Sequence, residues 1–168
     1  MNPKTRLTLV AAAFAAGCVS YSGSGLVPGQ ATEEGVRAAM GKPTAEYRDD
    51  GHHVLEFARG PVGFHTYRAS FDANGRLERI EQLLTPERFA SIQLNHSSKD
   101  DVRKLIGTPG FITYFPRTNI EYWDYRYLED RMKMRLYVAF DASGMAVKVE
   151  RMMDPEEMSI VGNPGGSM

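Results

Sequence analysis

Two kinds of hydrophobic spacing alternate along the chain. Val36, Ala39 and Met40, and again Val102, Leu105 and Ile106, sit at i, i+3, i+4, the spacing that puts apolar side chains on one face of a helix. Thr32 and Ser98 precede these runs as N-caps. Glu33 and Glu34, or Asp100 and Asp101, follow in the first turn, where carboxylates suit the positive helix end. Ser98 and Asp101 also have the spacing of a capping box. Gly41 and Gly107 can end each helix in a left-handed conformation, and Pro43 or Pro109 prevents continuation. Two helices of about nine residues are predicted, the first weakened by Gly35, which costs about 1 kcal/mol relative to Ala. A further short helix is expected over Glu87 to Ile92.

After each Gly-x-Pro the period falls to two. From Arg131 to Phe140 every even position is apolar, the pattern of a half-buried strand. Asp141-Ala-Ser-Gly144 then turns the chain, and Met145, Val147 and Val149 alternate back. The earlier counterpart is Tyr67, Ala69 and Phe71 followed by Asp72-Ala-Asn-Gly75, a strong hairpin signal. Leu77 and Ile80 break the alternation beyond it. Strands are also predicted over Val54 to Phe57 and Ile120 to Tyr127. Trp123, Tyr125 and Tyr127 share one face of the latter, expected to be core; Tyr122, Asp124 and Arg126 share the other.

The correspondence between the two halves is residue by residue. Thr32 to Pro43 matches Ser98 to Pro109 at a constant offset of 66, with Val, Arg, Gly and Pro coinciding. Leu55 and Phe57 fall opposite Trp123 and Tyr125 at an offset of 68, and Phe71-Asp-Ala-Asn-Gly75 opposite Phe140-Asp-Ala-Ser-Gly144 at 69. Such co-linear self-similarity marks an internal duplication. The expected fold class is α+β: two tandem copies of a short helix on a three- to four-stranded antiparallel sheet, each a two-layer sandwich. The predicted division is a leader over 1–17, a tether over 18–29, modules over 30–84 and 85–154, and a loose tail over 155–168.

The leader reading rests on Lys4 and Arg6, ten apolar or small residues from Leu7 to Ala16, and Ala15-Ala-Gly-Cys18. Ten residues rise about 15 Å as a helix, half of a ~30 Å hydrocarbon core, so a permanent span is not expected. The run resembles a bacterial lipobox. That resemblance implies lipid attachment at Cys18, the single cysteine, and explains an unpaired thiol in an exported protein. Val19, where an inner-membrane retention Asp would stand, implies a lipid-anchored protein on the periplasmic face of the outer membrane. The Gly- and Ser-rich run from Val19 to Gly29 reads as a flexible tether. With 168 residues, 20 basic against 21 acidic side chains and a formal charge of -1, the chain lacks the basic excess of a nucleic-acid binder, and no nucleic acid is expected as a partner.

The spacing from Gly29 to Pro43, followed in the second copy by Trp123-Asp-Tyr125, resembles the SmpA/OmlA (BamE-like) lipoprotein family. The resemblance covers most of residues 26 to 154 as two modules, with Asn95 in the second copy where Gly29 stands in the first. It implies a short helical pair on a three-stranded antiparallel sheet and, as partners, envelope proteins such as the β-barrel assembly machinery. The same module in tandem occurs in secreted β-lactamase inhibitor proteins.

Candidate chemistry is sparse. His52 and His53 lie near Asp49, Asp50 and Glu56, but adjacent strand residues point to opposite faces and the spacing is not that of a metal site; Asp49-Asp-Gly51 reads as a hairpin turn. There is no Gly-x-Ser-x-Gly, P-loop or His-Glu-x-x-His, and His65 and His96 stand alone. No catalytic residue, metal or cofactor is expected. Tyr122 and Arg126, with Arg131, Lys133 and Arg135 on the next strand, form a candidate interaction face, because exposed Tyr and Arg are enriched at binding hot spots. The leading expectation is a non-catalytic outer-membrane lipoprotein that scaffolds or modulates an envelope complex. The alternative is a periplasmic inhibitor of a hydrolase, which would need an exposed loop or a concave face between the copies; Phe111 to Arg117 is the one long apolar-aromatic connection available.

Overall fold

The computed structural model describes residues 21–161, the last three by backbone alone. The leader and Cys18 lie outside the described residues, as do residues 162–168 of the tail. The architecture is α+β, with two antiparallel four-stranded sheets and a few short helices. Helix α1 (Glu33–Met40) precedes β1 (Ala45–Asp49), β2 (His52–Ala58), β3 (Thr66–Phe71) and β4 (Leu77–Gln82). Helices α2 (Pro86–Ala90) and α3 (Lys99–Ile106) then precede β5 (Phe111–Phe115), β6 (Ile120–Glu129), β7 (Met132–Phe140) and β8 (Ala146–Met153), and α4 (Pro155–Val161) follows. Both sheets are meanders in sequence order.

Local chemistry accounts for the helix ends. The Thr32 hydroxyl accepts the Gly35 N–H, and Ser98 and Asp101 complete the reciprocal capping box. Gly41 and Gly107 stop the helices at φ 83° and 82°, a region L side chains avoid. Each helix lays its apolar stripe on its own sheet. Val36 and Met40 pack on Leu55, Phe57, Ala69, Phe71 and Leu77. Val102 and Ile106, joined by Phe89 of α2, pack on Trp123, Tyr125, Tyr127, Leu136, Val138 and Phe140. These are large surfaces: a Phe or Leu side chain removed from water contributes roughly 1.5–3 kcal/mol.

The duplication is visible in the hydrogen bonds. Gly29 N–H donates to the Leu77 carbonyl at 2.7 Å, and Asn95 N–H donates to Ala146 at 2.8 Å. Gly29 and Asn95 both have positive φ, so Asn, which tolerates that region, replaces Gly without changing the turn. Thr32 bridges Arg76 and Ser98 bridges Met145. The broken alternation after Leu77 is a bulge that leaves Glu78 outside the ladder register, and the same bulge recurs at Val147.

The structure departs from the sequence reading in four places. Residues 21–29 pack on the first module: Arg59 lies 3.3 Å over the Tyr21 ring, Leu26 joins the core, and Gly23 is buried. A Cβ on Gly23 would meet Ile80 at 2.5 Å, so here glycine serves close packing rather than flexibility. Strand β1 lies on the far side of the Asp49-Asp-Gly51 hairpin turn but has no strand pattern of its own, because Ala45–Asp49 carries alternate charges and buries none of its residues fully. Phe111 to Phe115 is the edge strand β5 rather than a connection, held by ladder pairing with β6. Residues 155–161 form α4 rather than loose tail, because Asp154 starts a helix: its Oδ1 accepts the Glu156 N–H at 3.0 Å, and Pro155 suits a first turn. At an offset of 69, Asp154-Pro-Glu156 repeats Thr85-Pro-Glu87, so α4 is the counterpart of α2.

Side chains opposite the α1 face join the two modules. Glu56 and Arg68 are both buried. Glu56 accepts the Thr108 N–H at 2.7 Å, just beyond the end of α3, and lies 3.7 Å from Arg68. Arg88 of α2 donates to Glu81 and to the Leu105 carbonyl. Gly60 lies so close to Gly110 that a Cβ would meet the opposing Cα at 2.8 Å. Losing one side of a buried charged hydrogen bond costs about 3 kcal/mol. Glu56→Ala is therefore expected to lower urea-unfolding stability by about that much, and Glu56→Gln, which keeps an acceptor for Thr108, by less. Equal losses would assign the effect to Arg68 instead.

Candidate functional site

The expected interaction residues do not form one exposed face. Arg126 and Arg135 are turned into an ion-pair cluster beneath α4. Arg126 Nε donates to Asp154 Oδ2 at 2.9 Å and Arg135 Nε to the same oxygen at 3.1 Å. Arg126 also donates to Glu156 at 2.7 Å, and Arg135 to Asp124 Oδ2 at 2.6 Å. The Arg126 side chain is 9% exposed, its guanidinium 4.6 Å over the Phe64 ring. Lys133 lies 3.8 Å from Glu157. Arg131 is exposed, in the β6–β7 turn at φ 70°. The reading of Arg126 and Arg135 as exposed anchors is thus corrected: Asp154, far along the chain, neutralises them.

Asp154 has no exposed surface. Burial pushes its carboxyl up, but the Glu156 N–H and the Arg135 and Arg126 guanidiniums outweigh this and hold it below its usual value. Burial has the opposite net result at Asp124, whose carboxyl is pushed up despite Arg135. Asp124 Oδ1 is buried and accepts no hydrogen bond, an unmet demand of the kind that usually finds a partner.

Tyr122 opens onto different ground. With Thr113, Phe115, Thr118, Asp124 and Tyr137 it lines a groove of about 460 Å³ on the outer face of the second sheet. The groove is bordered by β5, all five residues of which are exposed. Phe111, Ile112, Tyr114 and Phe115 are each about half exposed, an apolar edge of the sort proteins normally cover or charge. The strand reading from periodicity could have marked this edge: Phe-Ile-Thr-Tyr-Phe is a run of β-favouring residues.

The histidines part as expected for adjacent strand residues. His52 pairs with Glu78, whereas His53 bridges Glu33 at 2.9 Å and Glu46 at 3.0 Å. Arg37 also donates to both carboxylates, at 2.7 and 2.6 Å. Glu33, Glu46 and His53 could together offer three ligand atoms, but a guanidinium already supplies their positive charge. Glu56 lies apart, at the module junction. Trp123, Tyr125 and Tyr127 are core, and burial pushes the Tyr125 phenol well up while its hydroxyl donates to the Gly107 carbonyl at 3.0 Å.

No family model matches the chain, and no curated protein matches it. A solved structure it resembles is that of a DUF4309-family protein, YjgB, from Bacillus subtilis, at 18% identity over 79% of this chain and 85% of that one, with a TM-score of 0.32. Among the described residues no helix is long and apolar enough to cross a membrane.

Because the Asp154 carboxyl is held below its ordinary value, its contribution to stability is complete above that range and is lost as pH falls through it. Asp154→Ala is expected to destabilise the fold by about 3 kcal/mol near neutrality, with faster amide exchange in α4. The gap between variant and parent should close as the pH falls below about 4. A constant gap across that range would remove Asp154 as the titrating group.

Proposed function

We propose that this protein is a non-catalytic lipoprotein of the bacterial outer membrane, anchored through Cys18 at the periplasmic face, that binds other envelope proteins as a scaffold or modulator, with the β-barrel assembly machinery a candidate among them. The observation that carries the binding role is the exposed β5 edge beside the 460 Å³ groove. An unpaired strand edge offers a ladder of N–H and C=O groups, and its aromatic side chains supply apolar area, the two requirements of strand addition or side-chain docking. The lipobox-like run ending at Cys18 supports the anchoring, and the lipid would suffice for attachment without a span.

A second reading, inhibition of a periplasmic hydrolase, draws on the same strand. Phe111 to Phe115 would then enter the enzyme, as a strand edge rather than as a loop.

The test is affinity purification of the native protein from detergent-solubilised envelopes, beside Cys18→Ala and a Phe111→Asp/Phe115→Asp variant on the groove side of β5, with mass spectrometry of what is recovered. The scaffold reading expects envelope proteins in stoichiometric amount, lost with the β5 variant, and sedimentation of the parent but not Cys18→Ala with membranes. Recovery of a single soluble hydrolase, inhibited by the parent and not by the β5 variant, would favour the second reading. Full recovery with the β5 variant would overturn both.

A further inference from the structure

Each outer sheet face has the same layout, but only one is filled. Strand register equates Tyr47 with Thr113, Val54 with Tyr122, Glu56 with Asp124, and Arg68 with Tyr137. On the first sheet this face receives the end of α3. Glu56 takes the Thr108 N–H, Thr66 lies against Gly107, and Tyr47 shares a cleft with Asp100, Arg103 and Lys104 of α3. On the second sheet the equivalent place is the open groove, and the carboxylate equivalent to Glu56 is Asp124, whose Oδ1 accepts nothing.

The helix beside it is equally incomplete. Helix α2 lies against α3 and sends Phe89, 3% exposed, into the core, edge-on to Tyr127 at 4.8 Å. Its counterpart α4 holds Met158 at the position of Phe89, and Met158 is 48% exposed. A helix end ready to complete this arrangement exists in the same chain. Gly41-Lys-Pro43 is the counterpart of Gly107-Thr-Pro109, and Gly41 and Lys42 are exposed where Gly107 is buried. Arg59, the counterpart of Tyr127, carries the exposed Tyr21 ring that would face Met158.

We propose that the outer face of the second sheet is a socket for the first module of a second copy of this chain, with the Asp124 carboxylate that lines the groove meeting the Lys42 N–H as Glu56 meets that of Thr108. The Lys42 ammonium adds charge complementarity beside Asp124. The contact is head to tail, so it leaves a free socket at one end and a free helix at the other and builds chains rather than closed pairs unless the rotation closes. It rests on the reading of this face as protein-binding and names its occupant.

The test uses the full chain with Cys18→Ser, so that introduced cysteines are the only ones. Tyr47 and Lys104 share the internal cleft, and their counterparts are Thr113 and Ala38. Mixing Ala38→Cys protein with Thr113→Cys protein under mild oxidation should give a mixed disulfide dimer well above either homodimer, and the double variant a ladder. By sedimentation, Lys42→Pro, which removes the N–H, should weaken self-association by about tenfold, the effect of one charge-assisted hydrogen bond, while Lys42→Ala, which keeps the N–H and loses only the ammonium, weakens it by less. Asp124→Ala should act like Lys42→Pro. A monomer at every concentration, or homodimers as abundant as the mixed product, would overturn the proposal. If envelope partners are still recovered and lost with the β5 variant, the occupant alone is wrong; if neither self-association nor β5-dependent recovery is seen, the binding role fails too.

Discussion

A single buried carboxylate fixes how the halves of this molecule meet. Glu56 projects from the middle of the first sheet and is almost wholly buried, where a charged group is costly unless it is hydrogen-bonded. The backbone N–H of Thr108 meets that demand, and it can do so only because Gly107 ends α3 there in a left-handed turn. The sheet therefore orients the following helix, and the helix orients the sheet beneath it. Near contact between Gly60 and Gly110 leaves no room for another separation. Apolar burial drives each module to fold, but it is non-directional; the polar contacts give the junction its register.

The second sheet shows how the same frame is altered by a few substitutions. Shortening Glu56 to Asp124 and replacing Arg68 with Tyr137 removes the buried pair and puts aromatic surface in its place. The cations found there, Arg126 and Arg135, stand where the first copy has Ala58 and Thr66, and both pair with Asp154. What remains is an apolar channel with one unmet acceptor, bordered by an aromatic strand.

Much of this fold was legible in the residues. Short-range rules were enough for the caps at Thr32 and Ser98, the Gly-x-Pro stops, the hairpins after Phe71 and Phe140, and the inward Trp123, Tyr125 and Tyr127, because each depends on neighbours a few positions away. The duplication then supplied the pairing of halves. The less legible parts depend on partners distant in sequence. Glycines and serines around Gly23 suggest slack, and only the tertiary position of Arg59 turns Tyr21 into a clasp. Alternation correctly separates Arg126 and Arg135 from the core face, yet cannot reveal a helix folding back over them. The signal for that helix was present: Asp154-Pro-Glu156 continues the offset of 69 set by the preceding hairpin. The groove was less accessible still, since a cavity arises from three strands and a turn together.

The Tyr21 clasp also sets a length. Only Val19 and Ser20 separate it from Cys18, and three residue steps span at most about 10 Å even when fully extended. A lipid on Cys18 would thus hold the first module against the bilayer on a very short leash, instead of letting it range far from the surface. Molecules held in this way share one plane and a narrow range of tilts. Encounters between them become two-dimensional, and a contact too weak to detect in dilute solution gains a high effective concentration.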